Sequence, residues 1–310
     1  MREKVKVSMI RTRRGDVQSA TWGEGPPVLS LHGAMGGYDQ GVLLAETVLR
    51  PRFKCVAISR PGYLATPLNV GPTAQEQADL CADVLDDLNI ERVAITAISG
   101  GGPTALQFAL RHATRCSALV MISACSSRLD VPVPFRWNVM KLMARIPGMP
   151  ARMRAGVERN PSKAMERAVP DTALRMRMMR DREAAELMSR LQKSVFVEMR
   201  RRFAGSDNDI RISRTDMSWP LEKIDAPLLV VHGTEDSIVP YQQAESLARR
   251  VRGAQLLSIR GGEHVSIFTH RAEVIAGIDE FLGSIEGYAW ATVPAWRAAR
   301  VDPMRTLHTE

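Results

Sequence analysis

Ser99 has the residue type and the local setting that nucleophilic catalysis needs. It ends the apolar run "VAITAI" and is followed by three glycines and a helix-like pattern, "GGGPTALQFAL". A serine on such a tight strand-to-helix turn projects its hydroxyl above a sheet. The start of the helix adds unpaired N–H groups, which suit an oxygen that becomes negative during a reaction. The pattern therefore predicts that Ser99 is a nucleophile.

A phosphate-binding turn is the alternative use of these glycines. The sequence has no GxGxxG here, and Pro103 and Thr104 occupy the helix start where a P-loop places Lys and Ser or Thr. Both absences favour the nucleophile.

A serine hydroxyl is a weak nucleophile near neutral pH, so it needs a base and a group that orients the base. Asp236 follows the apolar run in "VVHGTEDSIVP", and His264 follows the next one in "IRGGEHVSIF". We expect His264 to accept the proton of Ser99 and Asp236 to orient His264. Glu235 adjoins Asp236 and is the alternative for this role, although its longer side chain and neighbouring position predict a different direction. The other histidines are expected to be structural or solvated: His32, His112, His232, His270 and His308.

Backbone N–H groups that stabilise an oxyanion are expected in two places. The segment "LSLHGAMGGYDQ" has small residues after an apolar run, so its backbone can approach a bound acyl carbon closely. The N–H groups of Ala34 and Gly100 are the predicted pair, and Met35 is a further candidate. The alternative is that these small residues are needed only to form a tight turn.

The chain alternates short apolar runs with longer helical patterns. "KVKVSMI" and "DVQSATW" predict an antiparallel pair, and five further runs predict buried strands: "PPVLSLHG", "FKCVAISRPG", "RVAITAI", "SALVMISA" and "APLLVVHG", with "AQLLSIRGG" after them. Helices are predicted over 73–89, 102–112, 241–251 and 265–285. This alternation predicts a mostly parallel sheet with helices on both faces.

One segment between two of these strands has a different composition. From 135 to 215 the chain has 19 Lys or Arg against 9 Asp or Glu, and 10 of its 16 methionines. The net charge of the whole chain is +8, so this segment holds all of the excess. "FRWNVMKLMARI" has apolar residues at helical spacing, and residues 171–203 predict about two more helices.

Taken together, these motifs resemble the α/β-hydrolase family. The resemblance covers about residues 10 to 285 and depends on "HGAMGG", "SRPGYLATP", "AISGGG", "HGTEDSIVP" and "GGEH", in the order of the family. It implies an eight-stranded, mostly parallel sheet with helices on both faces, a Ser-Asp-His triad and a helical cap inserted after the sixth strand. Ala97 replaces the first glycine of G-x-S-x-G, and "GYLATP" departs from the usual polar end of its motif; neither removes a catalytic group.

This resemblance divides the chain into four parts. They are a first core part at 1–128, the cap at 129–216, a second core part at 217–286 and a C-terminal extension at 287–310, expected as an arm or as disordered chain. Methionines form adaptable apolar walls, so Met35, Trp137 and Met140 are predicted to contact substrate. The alternative is that such residues only pack the cap against the core.

The expected function is that of a serine hydrolase acting on a small to medium, partly hydrophobic ester or lactone through an acyl-enzyme. The family also includes carbon–carbon bond hydrolases and cofactor-free haloperoxidases, and fold alone does not separate these chemistries. A non-catalytic ligand-binding protein is an alternative of another class. No cofactor or metal is expected.

Composition limits the partners and the compartment. The four cysteines form no CxxC pair, and no apolar run approaches the ~20 residues of a membrane helix or forms a secretory signal, so we expect a cytoplasmic protein. Nothing indicates nucleic-acid binding. The arginines of the cap are expected on solvated helix faces, with steering of anionic substrates, contact with anionic lipid or contact with another subunit as alternatives. The sequence leaves both a monomer and an oligomer open.

Overall fold

A computed structural model describes residues 5–129 and 135–288 of the chain. Eight strands form one sheet, with these bounds: β1 Lys6–Thr12, β2 Gly15–Trp22, β3 Pro27–Leu31, β4 Lys54–Ile58, β5 Val93–Ile98, β6 Cys116–Ile122, β7 Leu228–Gly233 and β8 Gln255–Ile259. Their order across the sheet is β1-β2-β4-β3-β5-β6-β7-β8. The pairs β1–β2 and β2–β4 are antiparallel, and the other pairs are parallel. The predicted fold class is confirmed.

Helices cover both faces of the sheet. Those of the core are α1 Tyr38–Val48, α2 Ala74–Asp87, α3 Gly102–Arg111, α10 Tyr241–Arg250, α11 Ser266–Thr269 and α12 Arg271–Gly283. Six more lie among the described residues between β6 and β7, and we call them the inserted helices: α4 Phe135–Met143, α5 Met149–Arg159, α6 Pro161–Ala168, α7 Thr172–Arg180, α8 Arg182–Ser194 and α9 Phe203–Ser213. The insertion point agrees with the sequence-based expectation of a cap after the sixth strand.

Alternation along β5 shows how the strands separate two apolar layers. Val93, Ile95 and Ala97 pack in one cluster with residues of α2, α3 and α10. Ala94, between them, packs in the other cluster with residues of α1 and α12. Successive side chains of a strand point to opposite faces, so one apolar strand contributes to both layers. The carboxyl end of β5, where Ser99 follows, is thereby held between two packed layers.

Three expectations about helices differ from the structure. The sequence analysis places no helix after β3, whereas α1 runs there behind the glycine-rich loop. The single helix predicted over 265–285 is two helices, with His270 between them. Segment 171–203 holds two helices, as expected, but α5, α6 and α9 were not predicted. Of the extension expected at 287–310, Gly287 and Tyr288 are described, and Tyr288 is buried in the core; the rest lies outside the described residues.

The apolar pattern in "FRWNVMKLMARI" marks the outer side of α4 rather than its packed side. Phe135 and Leu142 are 82% and 62% exposed. Trp137 and Met140, between them in the sequence, pack instead against a cluster that includes Met35 and Phe203. Helical spacing identifies residues that share a face, but it does not say which of two apolar faces the fold covers.

Candidate active site

Ser99 occupies a sharp turn between β5 and α3. Its backbone φ is +51°, in the left-handed region that residues other than glycine rarely adopt. The turn brings the start of α3 close to the chain after β6, because a Cβ on Gly102 would lie 2.2 Å from the carbonyl oxygen of Cys125. The glycine after the turn is therefore a steric requirement of this close approach.

His264 and Asp236 lie beside Ser99 at the same edge of the sheet. His264 Nε2 is 3.1 Å from Ser99 Oγ, and His264 Nδ1 is 2.9 Å from Asp236 Oδ2. Asp236 follows β7 and His264 follows β8, which pair in parallel, so their loops meet at one end. A carboxylate accepts hydrogen bonds, so Nδ1 carries the proton in neutral His264 and Nε2 presents a lone pair to the Ser99 hydroxyl.

Asp236 is an ionised, fully buried carboxylate. Burial alone would raise its pKa, but hydrogen bonds from His232 and His264, with the N–H of Val239, hold the pKa well below its usual range. The N–H groups of Ile238 and Val239 both donate to Oδ1 at 2.9 Å. These bonds fix the carboxylate in the position from which it contacts His264.

Ala34 and Gly100 lie on either side of the Ser99 turn, where the sequence places the oxyanion donors. Within the described residues the Ala34 N–H donates to no acceptor, and Gly100 lies in the first turn of the short 3-10 helix Ser99–Gly101, where an N–H has no partner within the helix. A Cβ on Gly33, next to Ala34, would lie 3.0 Å from Ser99 Cβ, so this loop lies directly against the serine. The N–H of Met35 donates to Ser206 Oγ at 2.8 Å, so Met35 has no free N–H to add to the pair.

A buried ion pair lies behind Gly100. Arg60, 1% exposed, donates two hydrogen bonds to Asp209 of α9, at 2.7 and 2.6 Å, and Tyr63 donates to the same carboxylate at 2.6 Å. A Cβ on Gly100 would lie 2.8 Å from Asp209 Oδ2. Burial would lower the pKa of Arg60, but the Asp209 charge raises it above the usual value. The inserted helices are thus joined by ionic hydrogen bonds to the wall of the candidate site.

A second arginine holds the loop between β3 and α1. Arg202, fully buried, donates to the carbonyl oxygen of Gly36 at 2.8 Å and to Asp39 Oδ2 at 2.6 Å. Gln40 Nε2 donates to the carbonyl oxygen of Met35 at 3.0 Å. The loop that carries Ala34 is therefore fixed by side chains on both sides of it.

The three residues predicted to contact substrate lie in one apolar cluster. Met35, Trp137 and Met140 pack together with Phe203, whose ring centroid lies 5.1 Å from that of Trp137. Trp137 Nε1 donates to Asp207 Oδ1 at 2.9 Å, which satisfies its polar atom. The structure brings these residues together beside the loop that holds Ala34.

A cavity of about 800 Å³ lies elsewhere, between α1, α8 and α12. None of Ser99, Asp236 and His264 lines it. Among residues 5–129 and 135–288, no group of acidic, histidine or cysteine side chains could hold a metal ion. No helix in these ranges is both long and apolar enough to cross a membrane.

Sequence reasoning missed four residues that support the site. His232 is more than a turn residue, because its Nε2 lies 3.2 Å from Asp236 Oδ2. His232 is in strand β7 and Asp236 is in the loop that follows, so no helical spacing pointed to this contact. Arg60, Arg202 and Asp209 gave no signal either, since their contacts join residues that are far apart in the chain.

This chain is similar to a known protein family, to several relatives and to solved structures. Residues 26–271 match a family model described as "alpha/beta hydrolase fold". An uncharacterised hydrolase of Bacillus subtilis, YcgS, is 24% identical over 84% of this chain and 93% of its own. A 2-hydroxymuconate semialdehyde hydrolase of a Pseudomonas species is 26% identical over 86% and 90%. An alpha/beta hydrolase fold protein of Nakamurella multipartita has a solved structure with a TM-score of 0.72 and 30% identity, covering 88% of this chain and 100% of that one.

Proposed function

This chain belongs to the α/β-hydrolase fold family, and from that membership we propose that it is a serine hydrolase that cleaves a small to medium, partly hydrophobic ester or lactone. The observation that carries the proposal is the hydrogen-bonded series from Ser99 through His264 to Asp236. Serine, histidine and aspartate in this connectivity form the arrangement that activates a hydroxyl for acyl transfer.

In the proposed reaction Ser99 Oγ attacks the carbonyl carbon and His264 Nε2 accepts the hydroxyl proton. Asp236 orients His264 and stabilises the imidazolium that forms. The N–H groups of Ala34 and Gly100 donate to the oxyanion. His264 then protonates the leaving alkoxide, which departs from an ester or stays tethered to the acyl group of a lactone.

The acyl-enzyme is then hydrolysed by the same groups. Water gives a proton to His264 Nε2 as its oxygen attacks the acyl carbon, and His264 returns that proton to Ser99 Oγ when the acid leaves. The apolar cluster of Met35, Trp137 and Met140 supports a substrate with apolar groups, because these side chains lie beside the loop of the oxyanion donors.

Carbon–carbon bond hydrolysis is the second candidate. The observation that favours it is the 26% identical relative named as a 2-hydroxymuconate semialdehyde hydrolase. The leaving group would then be a carbanion equivalent rather than an alkoxide, while the three polar residues stay the same. Cofactor-free haloperoxidase chemistry is a further alternative that the fold permits.

Turnover of p-nitrophenyl esters, lactones and diketones by the wild type and by Ser99→Ala tests the proposal. We expect ester or lactone turnover, and Ser99→Ala should lower kcat by ~10⁴ to 10⁶ because the nucleophile is lost. Equal turnover by the two proteins would exclude Ser99 as the nucleophile. Turnover of diketones alone would favour the second candidate.

A fluorophosphonate probe separates an enzyme from a non-catalytic binding protein. The probe should label the wild type covalently at Ser99 and leave Ser99→Ala unlabelled, since it reacts with an activated serine hydroxyl. A folded wild type that the probe does not label would favour the binding protein.

A further inference from the structure

Helix α4 has two apolar faces, and the fold covers only one of them. Trp137, Met140 and Ala144 form the inner face and pack in the cluster beside Met35. The outer face consists of Phe135, Val139 and Leu142, with Ile146 in the turn that closes the helix; their exposed fractions are 82%, 43%, 62% and 42%.

The outer face is a continuous stripe. Phe135, Val139 and Leu142 follow one another at four and three residues, so at about 100° per residue they fall within roughly 60° of the helix circumference. Single exposed apolar residues are common on protein surfaces, but a contiguous exposed set marks a surface that contacts a partner or a membrane.

The segment that carries this stripe has basic residues and no acidic ones. Residues 135–157 contain five basic residues and no acidic residue. Arg136 and Arg145 are exposed and lie at opposite borders of the stripe. Among the described residues, no carboxylate is within ion-pair distance of either arginine, whereas Lys141 is paired with Asp207 at 2.5 Å.

We propose that the outer face of α4 docks on an anionic lipid surface. The apolar stripe enters the region between headgroups and acyl chains, and Arg136 and Arg145 contact lipid phosphates. A second copy of this chain fits less well, because a two-fold contact would bring the same uncompensated arginines against each other. The proposal is independent of the proposed hydrolase function.

Co-sedimentation with vesicles tests this proposal directly. One set of vesicles contains phosphatidylglycerol and phosphatidylcholine in equal parts, and the other contains phosphatidylcholine alone. We expect the wild type to sediment with the anionic set, to stay in solution with the neutral set, and to be released by added salt, which screens the arginines.

Two pairs of double variants examine the stripe and the charge separately. Phe135→Ser with Leu142→Ser should lower vesicle affinity about tenfold or more, and so should Arg136→Glu with Arg145→Glu. The matched apolar control is Val7→Ser with Met9→Ser on β1, where both side chains are about half exposed. The matched charge control is Arg249→Glu with Arg252→Glu, both exposed. Both controls should bind as the wild type does.

Three results would overturn the proposal. They are a wild type that does not sediment with anionic vesicles, wild-type affinity in either α4 variant, and equal losses in a variant and its matched control. A dimer that only Phe135→Ser with Leu142→Ser dissociates, without vesicle binding, would assign the face to a second copy instead. Circular dichroism melts of all variants identify any loss that comes from unfolding.

Discussion

At the scale of single residues, His32 is a neutral histidine whose two ring nitrogens are both used. Nδ1 is 2.7 Å from the carbonyl oxygen of Gly33 and therefore donates to it, while Nε2 accepts from the N–H of Arg60 at 3.1 Å. Burial and the Arg60 charge lower the pKa of His32 well below its usual value. Protonation would remove the acceptor that Arg60 needs, so the folded protein keeps this ring neutral.

The buried His32 should make stability depend on pH. In the unfolded chain a histidine binds a proton below about pH 6.5, whereas folded His32 does not, so the free energy of unfolding should fall as the pH drops below that value. Each such histidine contributes a slope of at most about 1.4 kcal/mol per pH unit. Urea unfolding of the wild type between pH 7.5 and 5 measures this slope.

His32→Asn isolates the contribution of that residue. The variant should be less stable at pH 7.5, because it loses a buried hydrogen bond, and its stability should change less steeply below pH 6.5. Part of the slope should persist, since burial and the Arg177 charge also lower the pKa of His270. Equal slopes in the wild type and the variant would contradict this account of His32.

At the scale of elements, two ion pairs join the inserted segment to the core. The core supplies the arginine of one pair and the aspartate of the other. Arg60 of the core binds Asp209 of α9, and Arg202, just before α9, binds Asp39 of α1. Arg60 and Arg202 are buried, and each pair lies beside a loop that holds a proposed oxyanion donor. These ion pairs connect the inserted segment to the loops of the candidate site.

Removing one partner of the buried pair should be costly. Asp209→Ala leaves Arg60 charged and buried without a counter-ion, so we expect a loss of about 3–5 kcal/mol in the free energy of unfolding. Glu158→Ala, which breaks an exposed pair with Arg154 on α5, should cost less than about 1 kcal/mol. Urea unfolding midpoints compare the two variants. Similar losses in both would mean that burial of the Arg60 pair adds nothing.

The sequence predicts an element well when residues close together in the chain determine it, and poorly when tertiary contacts do. The strands and α2 follow from local periodicity, and α2 also has a capping box of Thr73 and Glu76. Helix α1 is harder to predict, because eight of its eleven residues are buried and no polar face marks its period. Ser99, Asp236 and His264 were identified because each follows a strand. Asp209 was not, since its partner Arg60 lies 149 residues away.

At the scale of the whole molecule, the excess of basic residues is confined to one segment of the chain. The basic excess lies in the segment from 135 to 215, while the rest of the chain has 23 basic and 25 acidic residues. The sheet and its helices form two large apolar clusters. Inserted helices α6, α7 and α8 contribute five buried residues to the second cluster, and the buried residues of the first come from the core alone. Composition predicted this division, but the exposed side of α4 depended on packing that composition does not contain.

The four cysteines can test whether the core unfolds in a single cooperative transition. All are free and buried, and burial raises the pKa values of Cys81, Cys116 and Cys125 to about 12. The thiolate is the reactive form, so native protein at pH 8 should not react with Ellman's reagent. Val7→Cys places a thiol at a position that is 47% exposed and should react at once, as a positive control.

In increasing urea, the four thiols should become reactive together, at the midpoint measured by circular dichroism. They lie on both sides of the sheet and beside the inserted helices, so a core that unfolds cooperatively exposes them in one transition. Reaction of one thiol well below that midpoint, located by mass spectrometry of the modified peptide, would show a part of the core that opens separately. Cys125 is the most informative position, because its carbonyl oxygen lies against Gly102 at the start of α3. Early labelling there would mean that the turn holding Ser99 is less stable than the sheet beneath it.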